Sequence, residues 1–301
     1  MVYDSNSNTA NHVSDDIYLY LYGLENYDYA IPATYVGGSS TYDIAVLYVE
    51  KSEVLLAAMA SGAAEAVTVG AEANIQPGMT TIAIGNPSSS NAELGGLSVT
   101  QGIVSVASEH ITMSAIDTGG EVQMRVIRTD TPVNAGNSGG GLFDLQGQLV
   151  GIVNAKLSSS DLENIGYAIP ISIVRAVADN IIYHCFGTET ESVMRCMLGI
   201  TVGITQYSTG YDSENGIFLR KETVSVEDIS AGSLADGLLQ AGDVLLRVTA
   251  GDNTVEITRQ HHVIDFMLDV RTGDILSFTI LRDGAEMTVT VTVTEDCLTA
   301  Y

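Results

Sequence analysis

Residues 128–140 read Arg128-Thr129-Asp130-Thr131-Pro132-Val133-Asn134-Ala135-Gly136-Asn137-Ser138-Gly139-Gly140. One serine is bracketed by glycines, with an acidic turn before it and the apolar pair Leu142-Phe143 after it. A serine hydroxyl attacks a carbonyl only when a base takes its proton and backbone N–H groups stabilise the oxyanion that forms. Glycines on either side let the chain turn so that the N–H groups of Gly136 and Ser138 point the same way, with Asn137 between them, as in an anion-binding nest. Read alone, the five residues 136–140 also suit a glycine-rich hairpin that happens to hold a serine.

The flanks narrow the choice. Downstream run Gly147-Gln148-Leu149-Val150-Gly151-Ile152-Val153-Asn154 and then Ile165-Gly166-Tyr167-Ala168-Ile169-Pro170; upstream stand Tyr42-Asp43-Ile44-Ala45-Val46-Leu47 and Asn11-His12-Val13. In order and spacing these stretches resemble the HtrA (Deg) family of trypsin-like serine proteases. The resemblance implies a mainly β chain, a chymotrypsin-like double β-barrel followed by a PDZ domain. It also implies an ATP-independent, DegP-like endopeptidase of bacterial protein quality control. Ser138 is then the nucleophile, and Gly136 and Asn137 belong to the oxyanion loop. Asp43 is the acid that accepts from the histidine Nδ1–H, fixes its tautomer and stabilises the imidazolium. Without the family, Asp43 reads as a turn-capping aspartate ahead of a half-buried strand. Ala135 and Gly141 depart from the family, which often has a larger residue and a proline there.

The base is the open point. Of His12, His110, His184, His261 and His262, only His12 precedes Asp43, as the family order requires. The run Asp4-Ser5-Asn6-Ser7-Asn8-Thr9 before it is polar and loop-forming, whereas the family histidine ends an apolar strand. Two readings follow: His12 is the base, or the chain is N-terminally truncated, with the base upstream of Met1 and the first barrel incomplete. A chain without its base is an inactive fragment or a pseudoprotease acting as a peptide-binding scaffold. For substrate choice, Pro132 stands six residues before Ser138, where an acidic residue would select Arg or Lys. With Val133, Ile165, Tyr167 and Ile169 it suggests a pocket for small or medium aliphatic side chains.

Length and punctuation predict two domains in the 301 residues. The protease domain is expected over 1–183, a linker over 184–197 and a PDZ domain over 198–296. Ile173, Val174, Val177, Ile181 and Ile182 have helical spacing. In the PDZ reading Leu198, Gly199 and Ile200 form the loop that holds a peptide carboxylate; without it they are a strand that begins with a glycine. Arg282-Asp283-Gly284 marks a hairpin turn. His261 and His262 point about 100° apart on a helix and read as surface or groove-edge residues. Short alternating segments at 17–22, 30–36, 81–84, 99–106 and 122–127 predict strands, and the alanine-rich 61–70 a surface loop or short helix.

With 12 Lys plus Arg against 37 Asp plus Glu, the formal net charge is −25, the wrong sign for nucleic acid or an anionic membrane surface. The expected partners are unfolded polypeptides and C-terminal peptides, with a homotrimer left open by the resemblance. No cofactor and no metal site is expected, since no Cys-x-x-Cys or His cluster has ligand spacing. Cys185, Cys196 and Cys297 are too few for a disulfide scaffold, and a Cys185–Cys196 bridge across the linker is open. The family works outside the cytoplasm, at the cell surface or on a membrane tether, and an N-terminal anchor lying before Met1 is the corresponding expectation.

Overall fold

The computed structural model describes residues 13–14, 16–24, 27–86, 97–114, 121–134, 136–154, 165–213 and 217–300. Its contacts group into two units, Met1–Glu191 and Ser192–Tyr301.

In the first unit the strands are β1 (Tyr18–Leu19), β2 (Ile31–Pro32), β3 (Thr34–Ser39), β4 (Ile44–Tyr48), β5 (Thr80–Gly85), β6 (Ser98–Ser114), β7 (Glu121–Thr129), β8 (Gly141–Phe143), β9 (Leu149–Asn154) and β10 (Gly166–Pro170). Helix α1 (Glu53–Ala60) follows β4 and helix α2 (Ile171–Cys185) follows β10. Strands β10-β7-β6-β5-β8-β9 close into a barrel, while β1-β2 and β3-β4 are two-stranded antiparallel pairs. The long β6 serves two neighbours. Its first part pairs with β5, its second with β7, and register shifts between Val104 and Glu109 mark bulges where it bends. A bulge adds local twist and lets one strand turn a barrel corner. Period-two alternation fills the interior with Ala83, Val104, Ile127, Leu142, Val153 and Ala168.

Two local features explain the positions of these elements. Gly102 lies so close to the 130–131 backbone that an added Cβ would sit 2.4 Å from the Thr131 nitrogen and 2.5 Å from Asp130 Oδ1. That approach lets Asp130 Oδ1 accept from the Ile103 N–H at 2.6 Å. Helix α2 turns Ile171, Ile173, Val177, Ile181 and Cys185 inward, which matches the spacing read from the sequence except that Ile182 is exposed. The alanine-rich stretch is not itself helical. The helix lies just before it, started by Ser52, whose Oγ accepts from the Leu55 N–H at 3.0 Å.

The second unit contains β11 (Met194–Cys196), β12 (Ile200–Asp212), β13 (Ile217–Ile229), β14 (Val244–Ala250), β15 (Asn253–Glu256), α3 (Gln260–Phe266), β16 (Ile275–Arg282), β17 (Ala285–Thr292) and β18 (Leu298–Ala300). Its main sheet runs β12-β13-β14-β16-β17, with β15 paired to β14; β11 and β18 form a separate pair. Leu276, Phe278 and Ile280 of β16 alternate into a core shared with Val224, Val248, Val263 and Phe266. Asp283 and Gly284, both at positive φ, form the two-residue turn joining β16 to β17, as a tight hairpin of this twist demands. His261 is buried rather than at the surface, as are Val263 and Phe266 of the same short helix.

Candidate active site

The glycines around Ser138 each have a distinct geometric task. Gly136 and Gly139 adopt φ of 99° and 83°, a region costly for side-chain-bearing residues. Gly140 passes so near β5 that an added Cβ would sit 2.3 Å from the Ile84 carbonyl oxygen. Asn137 is buried against Gly85, where an added Cβ would be 2.7 Å from Asn137 Oδ1. The Asn137 N–H donates to the Asn134 carbonyl at 2.9 Å, and the Gly140 N–H to the Asn137 carbonyl at 2.9 Å. The Asn137 amide is thus committed to closing the turn, and Ser138 stands exposed at its tip.

This loop is stitched to the end of β9: the Gly139 N–H donates to the Val153 carbonyl at 2.9 Å, and the Val153 N–H to the Gly140 carbonyl at 2.8 Å. The next residue holds the other candidate. Asn154, 2% exposed, donates from Nδ2 to Asp43 Oδ2 at 3.0 Å. Asp43 occupies the turn between β3 and β4 with φ 52°, a strained conformation for a residue with a Cβ. Adjacent residues of one strand therefore anchor both the serine loop and the aspartate. His12, the sequence candidate for the base, lies outside the described residues.

The pocket candidates divide between two faces. Gly166 faces Val133, with an added Cβ 2.9 Å from Val133 Cγ2 and 3.1 Å from the Thr131 carbonyl. Tyr167 and Ile169 alternate to the side of β10 opposite Gly166 and Ala168, Ile165 stands just before the strand, and Ile169 is buried while Pro132 is exposed. Beside this segment Thr81, Thr129 and Thr131, all buried, share hydroxyl hydrogen bonds of 2.7–3.2 Å. Thr129 Oγ1 also donates to the Ile103 carbonyl at 2.6 Å. This cluster braces the chain just ahead of the serine loop. Asn154 and the threonines escaped the sequence reading. Only the position of Asn154 at the end of Gly-Ile-Val-Asn offered a signal, since its partner is 111 residues away.

In the second unit, β12 is the edge of the main sheet and lies beside α3. The helix start is pinned by buried Glu222, whose Oε2 accepts from the Gln260 N–H at 2.9 Å and whose Oε1 is 3.1 Å from Arg259 Nε. Gln260 Nε2 donates to the Val202 carbonyl of the edge strand at 2.7 Å. At the head of β12, Leu198 is buried and Gly199 has φ 76°, with Ser233 Cβ 2.2 Å from where its own Cβ would lie. Among the described residues no cluster of His, Cys, Asp and Glu has the geometry of a metal site.

The trypsin-like peptidase domain family matches residues 9–152, a span that includes His12, Asp43 and Ser138. The serine protease Do-like HtrA of Bacillus subtilis (strain 168) is 31% identical over 264 residues, covering 86% of this chain and 54% of that protein. Serine endoprotease DegS of Escherichia coli (strain K12) is 28% identical over 291 residues, covering 95% of this chain and 73% of that protein. The solved structure of HtrA-type protease AlgW with tripeptide has a TM-score of 0.61 at 28% identity, covering 97% of this chain and 85% of that one. The chain spans about half the length of the Bacillus subtilis relatives it matches. By barrel, by motif order and by sequence, the chain belongs with the HtrA-type trypsin-like serine proteases.

Proposed function

We propose that this chain is a serine endopeptidase that cuts unfolded or misfolded polypeptides outside the cytoplasm and recognises peptide ends through a PDZ domain formed by the second unit. The observation that carries the catalytic part is the anchoring of the Ser138 loop and of Asp43 by the consecutive residues Val153 and Asn154. In this reading His12 takes the Ser138 proton as Oγ attacks the scissile carbonyl, and Asp43 holds the imidazole in the tautomer that can accept it. The N–H groups of Gly136 and Ser138 receive the oxyanion. The protonated histidine then gives its proton to the leaving amine, and water resolves the acyl-enzyme by the same route. The pocket wall on the Gly166 and Val133 side favours an aliphatic residue before the cut. A relative described as a probable periplasmic DegP-like endoprotease, from Rickettsia prowazekii, supports the location.

Peptide recognition rests on the free edge of β12. An extended segment adds there as a further strand, its carboxylate received by the Leu198-Gly199-Ile200 loop. AlgW with a tripeptide is the precedent among the similar structures. Gln260 holds the Val202 carbonyl that an added strand needs, so peptide entry displaces that amide.

The test is digestion of a reduced, unfolded protein, with the cut sites read by mass spectrometry. Cleavage after aliphatic residues that disappears in Ser138→Ala supports the reading. Peptide binding without any cleavage would instead make the chain a binding scaffold.

Two substitutions probe the supports. Asn154→Ala removes a hydrogen bond to a carboxylate worth about 1.5–3 kcal/mol, so kcat is expected to fall roughly tenfold to a hundredfold with KM little changed. Steady-state kinetics on one peptide substrate checks this. Gly199→Ala forces a side chain into the left-handed region and against Ser233. It is expected to cost about 2–3 kcal/mol of second-unit stability and to weaken peptide binding, as read by urea denaturation and fluorescence anisotropy.

A further inference from the structure

None of the three cysteines is in a disulfide, and all are buried. The bridge left open by sequence, Cys185 to Cys196, is absent. Cys185 ends α2 in the first unit, beside Gly37 of β3. Cys196 instead meets Cys297, Sγ to Sγ, at 3.2 Å. Cys196 ends β11, opposite Leu298 of β18, while Cys297 ends the short 3-10 turn Glu295–Cys297 that leads into β18; the Met197 N–H donates to the Cys297 carbonyl at 2.8 Å. The Cys297 thiol donates to the Thr294 carbonyl at 2.9 Å, which leaves its sulfur to accept from the Cys196 thiol. Both side chains belong to the hydrophobic core of the second unit.

We infer that Cys196 and Cys297 are a disulfide site, oxidised when the chain folds in a thiol-oxidising compartment. The sulfurs have to close from contact to about 2.05 Å, a movement within reach of side-chain rotation at two positions that the β11–β18 pairing and the Met197–Cys297 hydrogen bond already hold together. Each thiol gives up one proton and one electron as the S–S bond forms. A disulfide oxidant, such as oxidised glutathione or a dithiol oxidase, takes both electrons and is reduced to two thiols. The bond ties β11, at the start of the second unit, to the turn that leads into β18, near its far end, and closes a loop across 101 residues of separation. Burial, with the hydrogen bond to Cys297 second, holds the Cys196 thiol well above its ordinary pKa. Attack needs the thiolate, so once the core is packed the thiol reacts slowly. Oxidation is therefore expected during folding, and the finished bond resists reductants that spare the native state.

The experiment refolds the full chain in a glutathione redox buffer, blocks free thiols in denaturant and digests with trypsin. The expected product is one linked pair of peptides, 196–220 and 283–301, two hydrogens lighter than their sum, with Cys185 alkylated. Cys185→Ser should leave that product intact and Cys297→Ser should abolish it. Oxidised chain is expected to melt roughly 10 °C higher in its second unit than reduced chain, a difference absent in Cys297→Ser. Linkage through Cys185, or three alkylatable thiols after refolding in oxidant, would overturn the inference.

Discussion

Asp43→Asn is expected to lower turnover of an unfolded substrate by about 10⁴-fold while leaving the thermal midpoint of the chain nearly unchanged. Asparagine matches the shape of aspartate and tolerates the left-handed φ that residue 43 adopts, so the turn survives. The amide fails electrically: it presents an N–H to the imidazole as readily as an oxygen, favours the wrong tautomer, and offers no charge to the imidazolium. Kinetics and calorimetry on the same preparation separate the two effects. A loss under tenfold would mean that Asp43 caps a turn and nothing more.

A large loss of stability, rather than of turnover, is expected from a substitution in the second unit. Asp243, 1% exposed, receives two hydrogen bonds of 2.7 Å from Arg282 and one of 2.8 Å from the Gln240 N–H. Asp243→Ala leaves the partly buried Arg282 guanidinium without its carboxylate, and breaking such a pair typically costs about 3–5 kcal/mol. For a unit of this size the melting midpoint falls by more than about 10 °C, measurable by calorimetry or by hydrogen exchange in β14 and β16. The pH dependence follows from the same contacts. Hydrogen bonding by Arg282 holds the Asp243 carboxyl below its ordinary pKa, against the opposing effect of burial. Its contribution is therefore complete above about pH 4 and is lost as pH falls through the depressed native value. The wild-type chain should lose second-unit stability on that acid side, and Asp243→Ala should lose less.

Local signals in the sequence carried far because much of this fold obeys them. Alternation located β5, β6 and β7, the Asp283-Gly284 pair located the last hairpin, and helical spacing located α2. The Gly136–Gly140 run identified an exposed serine on a tight turn, and the structure supplies the reasons: two positive φ values and two close backbone approaches. Helix α1 was missed for a physical reason. It buries no residue, so it has no apolar stripe to read, and only the Ser52 cap announced it. His261 was misread because adjacency on a helix says nothing about which of two side chains meets the core. Contacts distant in sequence were invisible for a different reason. Asn154 to Asp43 and Cys196 to Cys297 are closed by topology, and a lone asparagine or cysteine carries no mark of its partner.

The most direct measurement is labelling of the chain with a fluorophosphonate, which reacts only with a serine activated by a base and facing an oxyanion site. Labelling is expected at Ser138 alone, located by peptide mapping, and it should vanish in Ser138→Ala and in His12→Ala. A folded chain that takes up no probe, with or without a peptide bound to its second unit, would contradict an assembled serine protease site.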